Sequence, residues 1–183
     1  MIRKKWQYLI LRPTEMPSMR VFYEAHPNIK CNISKIKSVL SLSRMPIITT
    51  VLGFTNPLVL AVSYAPKYLS DVRFADRGKS LIILSETLSS CSPLLYCSTL
   101  AHEFRHVWQY EHDMYVKDEN CFGSDVDLSP KEIDADAFSI AYLCKYENAS
   151  WDDACRATID YNTTTIKGQA ARIESAKKIY ISF

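Results

Sequence analysis

The apolar positions of this chain change their spacing about halfway along it. In the first half they come in short runs of β-branched and aromatic residues, separated by turn-forming residues. In the second half they recur at intervals of three and four over long stretches. Residues 6–11 form a brief apolar run behind Arg3, Lys4 and Lys5 and predict a first strand, and residues 19–24 predict another. Ile33, Ile36, Val39 and Leu40 fall at helical spacing, which predicts a helix over 33–42. Residues 47–64 are broken by Gly53 and by Asn56-Pro57, a pattern of two short strands joined by a turn. Residues 72–75 and 80–84 flank Asp76-Arg77-Gly78-Lys79, a hairpin signal.

Helix starts dominate the second half. Ser92-Pro93 supplies an N-cap and a first helical residue, opening a helix to about residue 111. Ser129-Pro130 opens another, to about 146. Ser150, followed by Trp151, Asp152 and Asp153, opens a third to about 161, and residues 166–180 predict a fourth. Strands followed by helices define an α+β class rather than a doubly wound sheet. With no repeat, low-complexity tract or long linker, one domain over residues 1–183 is expected.

Composition narrows the picture further. The chain is 48% hydrophobic and 23% charged, ordinary for a globular protein, and its net charge of +2 gives no electrostatic reason to expect nucleic acid. The N-terminal apolar run is too short, and too soon interrupted, for a signal core of roughly 7–15 residues. No segment approaches the roughly 18 apolar residues of a membrane span. A cytoplasmic location is the expectation. The six cysteines form no C-x-x-C pair, so they are expected to be reduced and mostly buried.

The chemistry concentrates in His102-Glu103-Phe104-Arg105-His106. Four residues apart on a helix, His102 and His106 lie within about 40° of each other on one face. Two imidazoles so placed can bind one tetrahedral metal ion without distorting the backbone. Glu103, about 100° around from His102, can reach a water at that ion without ligating it. This is the H-E-x-x-H arrangement of zinc peptidases. Leu100, Ala101, Phe104, Val107 and Trp108 give the helix an apolar surface to bury.

A catalytic zinc needs a third protein ligand, and two residues compete for the role. His112 stands where a metzincin pattern puts its last histidine, but Gln109 occupies the position that pattern gives to a helix-ending glycine. No methionine follows Met114 to make a Met-turn. Glu132 is the favoured ligand. Asp136, one turn beyond it, can accept the outer N–H of a ligating histidine, and Ala135 suits a close helix crossing. Asp134 is expected to point away into solvent. A competing role for Glu132 is a capping box with Ser129.

H-E-F-R-H followed by E-I-D-A-D-A-F resembles the gluzincin class of zincin-like metallopeptidases, whose pattern is H-E-x-x-H and then E-x-x-x-D on a following helix. The small size is similar to that of ImmA/IrrE-type or phage-associated members. Arg105 departs from that group, which often has a small residue before the second histidine. The likeness covers about residues 80–145. It implies a small twisted sheet packed on the H-E-x-x-H helix and the C-terminal helices. It also implies one Zn2+ held by His102, His106 and Glu132, with Glu103 as general base and Asp136 behind a ligand histidine.

The expected activity is hydrolysis of a protein or peptide substrate. The alternative is a zinc-retaining regulatory or interaction domain that does not cleave. Tyr110, His112, Tyr115, Tyr142 and Tyr161 are chemically competent to stabilise an oxyanion. In zincin-like folds the strand before the active-site helix commonly borders the cleft, so residues 80–86 form either a substrate-pairing edge or an interior strand. No sequence signal indicates the oligomeric state.

Overall fold

The computed structural model describes residues 27–45, 47–52, 61–64, 80–114 and 127–183. The strands expected at 6–11, 19–24 and 72–75, and the turns around Gly53 and Gly78, lie outside these residues. The chain forms two compact units, Met1–Cys91 and Ser92–Phe183. Helices and a three-stranded sheet coexist, as the α+β expectation requires.

In the first unit, helix α1 (Pro27–Val39) starts earlier than the apolar spacing suggested. It ends where Ser41 turns left-handed (φ 57) and the Leu42 N–H bonds back to the Lys37 carbonyl at 2.7 Å. Strands β1 (Ile47–Leu52) and β2 (Ala61–Tyr64) are not neighbours of each other. Both pair with β3 (Ser80–Ser85), β1 in parallel and β2 antiparallel. The sequence predicts the two strands correctly but not their partners, because pairing is decided by a third strand some twenty residues on.

The position of β3 settles the two readings of residues 80–86. It is the middle strand, hydrogen-bonded on both sides, and so offers no free edge to an extended peptide. Its consecutive Ile82, Ile83 and Leu84 are fully buried, which only a strand covered on both faces achieves. The interior reading holds. A short 3-10 turn, Glu86–Ser90, follows, with the Ser85 hydroxyl accepting from the Thr87 N–H.

The second unit is helical. Helix α2 (Pro93–Glu111) begins where Ser92-Pro93 predicts, and the Ser92 hydroxyl accepts from the Leu95 N–H at 3.2 Å. Its end is a Schellman turn: Asp113 is left-handed (φ 51), and the Met114 N–H reaches the Gln109 carbonyl at 2.9 Å. Helix α3 (Pro130–Tyr146) follows, then α4 (Trp151–Thr158) and α5 (Ile166–Ser182). Helix α4 stops short of the expected residue 161 because Ile159 is extended and Asp160 opens a turn, its carboxylate accepting from the Asn162 N–H.

Helix α3 is the hub, touching α2, α4 and α5. That demands burial all around it, and Ala137, Phe138, Ser139, Ile140, Ala141, Tyr142 and Leu143 are all buried. Small side chains allow close approach to α2. Ala135 is fully buried, and the Ser139 hydroxyl donates to the Ser98 carbonyl at 3.1 Å. Among the described residues no helix is long and apolar enough to cross a membrane. Cys91, Cys97, Cys144 and Cys155 are free thiols, Cys97 and Cys155 buried, and burial pushes Cys144 up to about 11.

Candidate metal centre

The crossing of α2 and α3 brings three ligand-type atoms to one point. His102 Nε2 and His106 Nε2 are 2.9 Å apart, and each lies 3.3 Å from Glu132 Oε2. The two rings meet edge to face, with centroids 4.5 Å apart. Helical spacing supplies the two imidazoles, while Glu132 comes from the first turn of α3. The Ser129 side chain makes no capping bond, so the capping-box alternative for Glu132 is not realised.

The outer ring nitrogens fix the tautomers. His102 Nδ1 lies 2.8 Å from Asp136 Oδ1, an acceptor, so Nδ1 carries the proton. His106 Nδ1 lies 2.8 Å from Gln109 Oε1. The Gln109 amide cannot be turned around, because its NH2 donates to the Lys131 carbonyl at 3.0 Å and to Asp134 Oδ2 at 2.7 Å. His106 Nδ1 is therefore the protonated nitrogen too. Both Nε2 lone pairs then face a carboxylate oxygen and each other.

Three electron-rich atoms in contact require a positive charge between them. A tetrahedral ion with bonds of about 2.0–2.1 Å spaces its ligand atoms about 3.3 Å apart, which two of the three separations match. The donor set suits a metal ion, and among the described residues this is the one such cluster. With a proton as the only cation, the same crowding appears in the ionisation. Burial alone would lower the pKa of His102, but Asp136 and Glu132 reverse this and hold it well above the ordinary histidine value. Burial would raise that of Glu132, but His106 and His102 hold it well below the usual carboxylate range.

Glu103 sits beside His102 on α2 and is 7% exposed. Its carboxylate makes no hydrogen bond among the described residues, although its charge acts on Lys131. Burial would lower the pKa of Lys131, but Tyr110, Glu132 and Glu103 raise it above the usual value. The Lys131 ammonium lies 5.2 Å from the centre of the Tyr110 ring, which stacks on His106.

The rival ligand is elsewhere. His112 caps α2, its Nδ1 lying 2.8 Å from the Trp108 carbonyl and its ring stacked on Trp108 at 4.3 Å. Of the described tyrosines considered for oxyanion binding, Tyr110 alone is stacked on one of the two histidines. Tyr142 is buried in α3, its hydroxyl donating to Glu147, and burial raises its pKa. Tyr161 is in the exposed turn after α4, and Tyr115 is outside the described residues.

Two expectations need correction. Asp134 is not solvated: Arg105 grips it with two bonds, Nε to Oδ2 at 2.8 Å and Nη2 to Oδ1 at 3.0 Å. The long guanidinium, lying 3.8 Å over the Trp108 ring, reaches across the helix crossing and draws the carboxylate in. Trp108 is correspondingly half-buried under Arg105 rather than in the core. Asp127, in the turn before α3, accepts from the Thr165 N–H and hydroxyl at the start of α5 and from Arg172. Gln109, Lys131 and Arg172 had no distinguishing sequence signal. Glu132 lies against both histidine Nε2 atoms and Asp136 against His102 Nδ1.

Protein-family models, curated proteins and solved structures were each compared with this chain, and none matches.

Proposed function

We propose that this chain is a zinc-dependent metallopeptidase of the zincin-like, gluzincin type. The observation that carries this reading is the convergence of His102 Nε2, His106 Nε2 and Glu132 Oε2 at 2.9–3.3 Å, with Glu103 buried beside them. Two imidazoles and a carboxylate suit zinc better than the harder calcium or magnesium, which prefer oxygen. Held by His102, His106 and Glu132, a zinc ion would supply Lewis acidity for activating water and polarising a carbonyl.

The remaining work falls to side chains. Glu103 takes a proton from the attacking water on its carboxylate and returns it to the leaving amine. Asp136 and Gln109 hold the Nδ1 protons of the two histidines, keeping both Nε2 lone pairs aimed inward. Tyr110, stacked on His106, and Lys131, over the Tyr110 ring, offer a hydroxyl and a cation for a developing oxyanion. The substrate is a protein or peptide, and its binding does not use addition to β3, which is paired on both sides.

Metal analysis of the purified protein, with cleavage of a mixture of unstructured peptides, tests the proposal. Stoichiometric zinc is expected in the wild type and in Glu103→Gln, with cleavage in the first only. Full cleavage by Glu103→Gln, or a wild type without affinity for zinc, sinks it. Zinc with no cleavage of any peptide by the wild type would favour the non-cleaving regulatory domain.

A further inference from the structure

We propose that Arg172 on the C-terminal helix is a positioning residue of the metal centre, acting through Asp136, so that docking of α5 and metal binding are coupled. This rests on reading His102, His106 and Glu132 as metal ligands. Asp136 divides its two oxygens: Oδ1 takes the His102 Nδ1 proton at 2.8 Å, and Oδ2 takes the Arg172 Nε proton at 2.6 Å. A carboxylate held at one oxygen only can swing about its Cβ–Cγ bond. Held at both, it has one orientation, and so does the ring it supports.

Arg172 is fixed in its turn. It is 4% exposed, and its Nη1 donates to the Asp127 carbonyl at 2.7 Å and the Gly168 carbonyl at 3.2 Å, with Asp127 Oδ1 at 3.3 Å. Asp127 also binds Thr165, the N-cap of α5. Gly168 lets these groups meet, since a Cβ there would collide with the Asp127 carboxylate. A chain of contacts therefore runs from the α5 N-terminus through Asp127, Arg172 and Asp136 to His102. A guanidinium suits this post because its Nε and Nη1 point in different directions, and an ammonium cannot serve both partners from one place.

An isolated structural ion pair would give the same contacts, so the test must detect action through Asp136. Zinc affinity is measured on the full chain by chelator competition for wild type, Arg172→Lys, Asp136→Asn and the double variant, with folding checked by circular dichroism. Arg172→Lys is expected to lose about tenfold or more in affinity, within the range seen for outer groups of metal sites. The double variant is expected to bind no worse than Asp136→Asn by more than about twofold, because the path is already cut. Wild-type affinity in folded Arg172→Lys, or losses that multiply in the double variant, would overturn the proposal.

Hydrogen exchange adds a readout that does not depend on Arg172 variants folding. Zinc is expected to slow exchange of amides 166–176 in the wild type and not in Asp136→Asn. No slowing in a zinc-loaded wild type overturns the coupling, while the metal reading survives. A wild type that binds no zinc removes the metal reading itself, and the coupling with it.

Discussion

His102 and His106 stand one turn apart on α2 and aim the same ring atom at the same point, yet they are held there by different means. His102 leans on a carboxylate from another helix, itself gripped by an arginine from a third. His106 leans on a neutral amide from its own helix, three residues further on. The first arrangement makes the ring a stronger donor and exists only once the helices have assembled. The second gives less basicity, but the helix provides it locally, with Lys131 and Asp134 merely orienting the amide. Together they make a site with one tunable ligand and one steady one.

The largest test of that difference is the paired removal of the two supports. Asp136→Asn is expected to lower zinc affinity about 10–100-fold, and Gln109→Ala by distinctly less. Equal losses in a chelator competition would show that the charge on Asp136 is immaterial.

The acidity of His102 gives the next test. On the proposed reading, zinc would have to displace a proton from His102, whose pKa is raised by Asp136 and Glu132 against the opposing effect of burial. Affinity should begin to fall above the ordinary histidine range, by about tenfold per unit of pH below the folded His102 value. In the metal-free protein the sign is opposite. A raised folded pKa gives stability that is complete below the unfolded value of about 6.5 and lost as pH rises through the folded value. Glu132, held low, contributes stability above its unfolded value and loses it as pH falls through the folded one. Melting of the chelated protein across pH should therefore decline on the alkaline side, and zinc should abolish that decline. A chelated protein whose melting is flat there would contradict the raised His102 value.

A smaller effect tests whether the two supports can be exchanged. Gln109→Glu would give His106 a carboxylate like that of its neighbour. Gln109, however, donates to Asp134 Oδ2 at 2.7 Å, and a carboxylate there would face another across the same gap. A loss of about 1–3 kcal/mol in chemical denaturation is expected, from the lost donors and the new repulsion. No loss would mean that the amide is not needed as a donor.

The sequence made the two histidines and the carboxylate behind His102 legible, but neither the amide behind His106 nor the arginine behind Asp136. The two histidines, Glu103 and the start of α2 follow from helical period and a Ser-Pro start, which are local. Glu132 and Asp136 follow from spacing on a second helix with a start of the same kind. Gln109 looked like a plain helix former, because nothing in its neighbourhood reveals that its amide faces His106. Arg105 and Asp134 are far apart in sequence, so the guanidinium that keeps Asp134 from solvent could not be seen. Arg172 is one of many basic residues in a surface-patterned helix, and its burial depends on Asp127 and Gly168 meeting it. The sheet shows the same limit: β1, β2 and β3 were visible as strands, while their order was set by pairing at a distance.

The ends of three segments carry a last consequence. Ser41, Asp113 and Asn148 all hold left-handed backbones that glycine adopts without strain. None of them touches the metal ligands among the described residues. A cluster of lone pairs and a carboxylate weighs on folding wherever it occurs. Ser41 and Asp113 are places where a change to glycine, or to an asparagine like Asn148, can restore what a change near that cluster takes away.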